Sequence, residues 1–103
     1  MSGIGYQAVR SQASLAEVLE LLGFVASETS GDQVRGACPL HASPSRESRS
    51  FSANLGMNAY RCFHCGSAGN QLDLWVAATK QPLYQAAIDL CQRLDRPIPR
   101  LPR

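Results

Sequence analysis

Apolar and polar positions along the chain change period twice, and the changes divide it into elements. The opening "MSGIGYQAVRSQ" has no clear period and reads as a loose leader over residues 1–11, with room for one turn of helix. "SLAEVLELLGF" then places Leu15, Val18, Leu19 and Leu22 on one stripe, which predicts a helix. Ser14 and Glu17 have the spacing of a capping box, and Gly23 is a natural stop. "SETSGDQVRGACPLH" carries a Ser-Gly-Asp turn signal and predicts a hairpin that runs into Cys38. "SFSANLGMNAYRCF" predicts a second hairpin, with Phe51 in one arm, a loop through Asn54, Gly56 and Asn58, and Tyr60 and Phe63 in the other arm. From "GSAGNQLDLWVAAT" the period becomes helical, with Asn70 as cap, Asp73 at its third position, and Leu72, Trp75, Val76 and Thr79 following. "PLYQAAIDLCQRL" repeats the pattern through Leu83, Ala86, Ala87, Leu90, Cys91 and Leu94, with Pro82 suited to the first turn. "DRPIPRLPR" cannot continue a helix, so residues 96–103 read as a basic, proline-rich tail or the start of a linker.

With 103 residues the chain has length for one domain, here expected over residues 12–95. A core of that size is modest and gains from an added staple such as a metal or disulfides. The sequence has no apolar run able to span a bilayer and no charged-then-apolar leader, which predicts a cytoplasmic protein with no membrane partner. In that compartment thiols stay reduced, and clustered cysteines point to metal before disulfide. The formal net charge of +2 is unevenly spread. Residues 1–31 set Arg10 against Glu17, Glu20 and Glu28, whereas residues 32–61 set Arg35, Arg46, Arg49 and Arg61 against Asp32 and Glu47. The last stretch adds Arg93, Arg96, Arg100 and Arg103 against Asp95. An acidic opening with a basic middle and tail implies one electropositive face.

The candidate chemistry lies in the two hairpins. Cys38-x2-His41 is followed, 20 residues later, by Cys62-x2-Cys65. Two close pairs separated by a hairpin-sized gap are what one tetrahedral structural zinc requires, each pair approaching the ion from a tight turn. Pro39 and Gly66 favour such turns, in which backbone N–H groups offset thiolate charge. Three thiolates and one imidazole close the coordination sphere, leaving no position for a catalytic water. His64, between the cysteines of the second pair, reads as an exposed turn residue, and Cys91 as a small hydrophobe on a helix stripe. A redox role for "CFHC" would want a βαβ setting, whereas the motif follows an aromatic strand and has a second metal-like pair upstream.

The run "RGACPLH…SFSANLGMNAYRCFHCGSAGNQLDLW" resembles the CHC2 zinc-finger domain at the N-terminus of bacterial DnaG-type DNA primases. The matched positions are Cys38-Pro39-Leu40-His41, Ser50-Phe51-Ser52, Tyr60 before Cys62-Phe63-His64-Cys65-Gly66, and Gly69-Asn70. The resemblance implies an α+β zinc ribbon, a small antiparallel sheet flanked by short helices. It further implies a module that binds single-stranded template DNA for primer initiation, while a separate TOPRIM-type domain polymerises. The sequence has no glutamate and paired aspartates arranged to hold magnesium, so the chain alone is not expected to be an enzyme. Two departures touch template recognition rather than the metal: the loop "ASPSRESRS" carries Arg46 and Arg49 where the family has a shorter loop with a lysine, and Arg61 and His64 stand where histidine and glycine are usual.

An exposed aromatic offers any base a stacking face, and arginines track phosphates. Arg61 is the first candidate for a DNA contact, Arg35 and Arg49 follow, and Arg46, Phe63 and Tyr60 complete the set. Alternation places Arg61 with Phe63 on one face and Tyr60 with Cys62 on the other, and Phe51 reads as core. The structural explanation for Arg35 and Arg61 is compensation of a site that itself carries negative charge. The competing function is a free-standing zinc ribbon, of a mobile element for instance, that docks on a primase catalytic domain, a helicase or another protein partner instead of DNA.

Overall fold

A computed structural model describes residues 3–40 and 50–100. Its sheet follows directly from the two hairpins: β1 (Ala26–Ser30), β2 (Gln33–Gly36), β3 (Phe51–Asn54), β4 (Ala59–Cys62) and β5 (Ala68–Asn70) lie in the order β1-β2-β3-β4-β5, all antiparallel. Gly31, at φ +60, makes the first turn, and Asn58, at φ 52, the second. Register then sorts the side chains into two faces. Val34 pairs with Ala53 and Ala53 with Tyr60, while Gly36 pairs with Phe51 and Phe51 with Cys62; these residues are buried. Arg35, Ser52 and Arg61 pair in a row on the opposite, polar face. Phe24 and Tyr60 pack against Phe51, with centroids 5.2 and 5.6 Å away.

Four helices close the buried side: α1 (Tyr6–Gln12), α2 (Leu15–Leu21), α3 (Gln71–Thr79) and α4 (Leu83–Arg93). Both expected capping boxes form, Ser14 with Glu17 and Asn70 with Asp73. Gly69 precedes the second box at φ +149, where a Cβ would collide with the Asp73 carboxylate that caps the turn. That combination admits only glycine. Leu15, Val18, Leu72, Leu74, Trp75, Ala86, Ala87 and Leu90 are buried. Among the described residues, no helix is long and apolar enough to cross a membrane.

Three stretches differ from the sequence expectation. The loose leader holds α1 and buries Ile4 and Val9, because the buried Gln71 side chain donates to the carbonyls of Arg10 and Ala13 at 2.8 and 2.9 Å and ties α1 to α3. "SAGN", expected to lead into a helix, first adds the short strand β5 to the sheet edge. The described part of the basic tail is held to the domain: Gly5 N–H donates to the Pro99 carbonyl at 2.7 Å, Ile4 bridges Arg100, and Arg96 pairs with Glu17 and donates to the Gln12 carbonyl. Proline blocked the helix as expected, but loss of helix did not mean loss of contact.

The Arg96 guanidinium, aided by the Ser14 N–H, lowers the Glu17 carboxyl from its ordinary 4.5 to about 2. A depressed carboxylate stabilises the folded state above its unfolded pKa and loses that effect as pH falls through the folded one. The stability difference between wild type and Glu17→Gln is therefore expected to shrink as pH falls from about 4.5 to about 2. Paired denaturant titrations across that window check this; a difference that stays constant down to the lower limit would contradict it. Both side chains are about a third exposed, so the effect is modest.

Candidate metal centre and nucleic-acid face

Two turns at one end of the sheet aim thiols at a common point. Cys38 follows β2, and Cys62 ends β4. The turn after Cys62 is closed by Gly66 N–H donating to the Cys62 carbonyl at 2.9 Å, with Gly66 at φ +78, while Cys62 N–H donates to the Ser67 carbonyl at 2.8 Å. This geometry sends Cys65 back toward Cys62. The sulfur atoms of Cys38, Cys62 and Cys65 all lie within 4.8 Å of one another. Backbone N–H groups of Leu40 and Cys65 donate to Cys38 Sγ and Cys62 Sγ, each at 3.4 Å. Such N–H···S bonds stabilise thiolates bound to a metal.

Cys38 and Cys62 are buried and Cys65 is exposed. Burial pushes the Cys38 thiol up to about 12, and the neighbouring Cys62 and Cys65 push in the same direction. The Cys38 thiol therefore resists ionising by itself, whereas a soft divalent cation reverses the preference by replacing its proton. The donor set fits zinc, and when bound zinc would cross-link the β2 and β4 ends. His41, the expected fourth ligand, lies outside the described residues, as do Arg46 and Arg49. His64 is exposed and stands outside the sulfur cluster, and Cys91 is buried in α4 with its thiol raised by desolvation.

The polar face of the sheet carries the basic candidates. Arg35 and Arg61 flank Ser52 in register, and both guanidinium groups lie over the Phe63 ring, at 5.7 and 5.1 Å from its centroid. Phe63 remains 60% exposed, held by its N–H donating to the Ser50 carbonyl at 2.7 Å. Arginines over an exposed ring form a preassembled platform of positive charge and π surface. The structure removes Tyr60 from this platform. Its ring is buried and stacked on Phe51 at an interplanar angle of 16°, and its hydroxyl pairs with Ser67 Oγ at 2.7 Å, so no ring face is left for a base. Alternation had already placed Tyr60 on the side of Cys62, and the register makes that side the core.

Sequence reasoning missed Ser52 and Gln33. Ser52 lies between the two arginines, and the Gln33 side-chain amide donates to its hydroxyl. Both belong to the polar face by the same period-2 count, but only the cross-strand register shows that they adjoin Arg35 and Arg61.

The CHC2 zinc-finger family model matches residues 3–101. The DNA primase of Synechocystis sp. (strain ATCC 27184 / PCC 6803 / Kazusa) is 31% identical over 78 residues, covering 75% of this chain and 12% of the relative. The DNA primase of Synechococcus elongatus (strain ATCC 33912 / PCC 7942 / FACHB-805) is 28% identical over 91 residues, covering 88% of this chain and 12% of the relative. The chain thus spans about an eighth of the length of these relatives. Among solved structures, the Aquifex aeolicus primase (zinc binding and RNA polymerase domains) superposes with a TM-score of 0.69 at 21% identity, over 88% of this chain and 21% of that one.

Proposed function

Because this chain belongs to the CHC2 zinc-finger family, we propose that it is the zinc-binding module of a DnaG-type priming system and that it holds single-stranded template DNA for primer initiation. The observation that carries the reading is the Arg35–Phe63–Arg61 cluster on the polar face, with the thiol cluster at the same end of the sheet. In this reading Cys38, His41, Cys62 and Cys65 hold one structural zinc, which fixes the turn that presents Phe63. Arg61 and Arg35 neutralise phosphates, Phe63 stacks on a base, and Arg49 and Arg46 extend the basic track. Ser52 and Gln33 add hydrogen bonding without charge. The chain performs no step of polymerisation; a separate catalytic domain supplies it, and that domain and a helicase are the partners the reading implies.

Fluorescence anisotropy of the zinc-loaded protein with labelled single-stranded oligonucleotides tests this at several salt concentrations. Affinity is expected to fall with salt, and Arg61→Ala to reduce the slope of log K against log salt by about 0.7 if it neutralises one phosphate. Phe63→Ala is expected to weaken binding by about 1–3 kcal/mol, as loss of one stacked base would. Salt-insensitive or absent binding by folded, zinc-loaded protein would overturn the DNA reading and favour a protein-docking ribbon.

A further inference from the structure

Residues 11–34 carry Glu17, Glu20, Glu28 and Asp32 and no lysine, arginine or histidine. This stretch supplies α2, β1 and the start of β2, on the flank of the sheet formed by its β1 edge. Along that flank two hollows share Phe24 as a lining residue. One, of about 570 Å³, is lined by Leu22, Phe24, Val25 and Ala26 on one side and by Ala37, Cys38 and Pro39 on the other. The other, of about 230 Å³, is lined by Ala16, Leu19, Phe24, Ala26, Val34 and Leu55, with Glu20 as its charged member. Phe24 and Ala26 belong to both, so they form one apolar trough between α2 and the sheet. Val25, at 81% exposed, stands over it. The Asp32 carbonyl accepts from Leu55 N–H at 2.8 Å, which puts an exposed acid next to the Leu55 end, its carboxylate over Gly56. Glu17 is already paired with Arg96 and Glu28 lies on β1, so the acids nearest the trough are Glu20, which lines it, and Asp32, next to Leu55.

We propose that this acid-rimmed trough docks a cationic amphipathic segment of a partner protein, its apolar side chains seated around Phe24 and Ala26 and its lysines or arginines against Glu20 and Asp32. Charge complementarity selects the occupant. Apolar walls call for aliphatic or aromatic side chains, while a rim of one sign steers the opposite sign and rejects its own. Phosphate backbones are repelled here and attracted on the Arg35–Arg61 face, so one small module can hold a nucleic acid and a protein on separate surfaces. The proposal shares Cys38 with the candidate metal centre, but none of Arg35, Arg61 and Phe63 on which the DNA reading rests.

The test uses the zinc-loaded protein with a synthetic amphipathic leucine–lysine peptide, and a leucine–glutamate peptide as control. Amide shifts in ¹⁵N NMR are expected to cluster at Ala16, Leu22, Phe24, Ala26 and Leu55. The double variant Glu20→Lys/Val25→Ser changes two exposed residues and is expected to weaken the leucine–lysine peptide on the order of tenfold. Its circular dichroism and its response to single-stranded DNA should match wild type. Absent binding, shifts centred elsewhere, equal affinity for the acidic peptide, or an unweakened double variant would each overturn the proposal. Shifts at the trough produced by the oligonucleotide would assign this surface to nucleic acid instead.

Discussion

Removing zinc is expected to unfold the sheet while leaving part of the helical content. A structural zinc contributes about 10–16 kcal/mol of binding free energy in small finger domains, against a total stability of about 5–15 kcal/mol for an ordinary domain. The sulfur ligands sit where β2 and β4 end, so the ion would be the link that holds the two hairpins together at their ligand ends. Without it, three thiols remain crowded within 4.8 Å, two of them in buried positions, and the ends of β2 and β4 lose the cross-link between them. The helices bury Val9, Leu72, Leu74, Trp75, Ala86 and Leu90, a separate source of cohesion. A strong chelator should therefore abolish the near-ultraviolet signal of the stacked Tyr60 and reduce far-ultraviolet dichroism only partly, with recovery on adding zinc. Cys62→Ser should behave like chelated wild type. Unchanged spectra from protein shown by elemental analysis to have lost its zinc would refute a folding role for the metal.

Phe51→Ala is expected to destabilise the zinc-loaded protein by about 3–5 kcal/mol, the usual cost of deleting a fully buried ring. Phe51 is 0% exposed, lies between Phe24 and Tyr60, and pairs in register with Gly36 and Cys62. A cavity there would loosen both the aromatic stack and the strand that carries a zinc ligand. Phe63→Ala deletes the same ring from an exposed position and should change stability by no more than about 0.5 kcal/mol. Denaturant melts of the two variants at fixed free zinc compare them directly. Similar losses would mean that Phe63 also belongs to the core and would remove it from the proposed DNA contacts. The contrast follows from register and parity together: Phe51 pairs with Cys62, and Phe63, one position further, is turned to the other side.

Parity also explains how much of the site was legible. The grouping of Arg61 with Phe63 and of Tyr60 with Cys62 follows from counting along one strand, whereas the core position expected for Phe51 is explained by its register with Cys62. Tyr60 shares its face with Cys62, and that face is the buried one. The neighbourhood of Arg35, Ser52, Gln33 and Arg61 required knowing that β2 and β4 both flank β3, a pairing between residues far apart in sequence.

Local signals were sufficient wherever the physics is local. Ser14 with Glu17 and Asn70 with Asp73 satisfy orphan N–H groups three residues away, turn residues set the hairpins, and the tight turn from Cys62 to Cys65 brings two soft donors together. Only the tertiary structure decided the fate of segments whose partners are distant. Gln71 orders the leader by donating to Arg10 and Ala13, Asn58 in the second hairpin turn accepts from Leu15 N–H at 2.9 Å, and Glu17 holds Arg96 of the proline-rich tail. None of these contacts has a periodicity or a fixed spacing to announce it. Each is a single polar group finding a partner across the folded chain, and that choice exists only after the core has brought the two together.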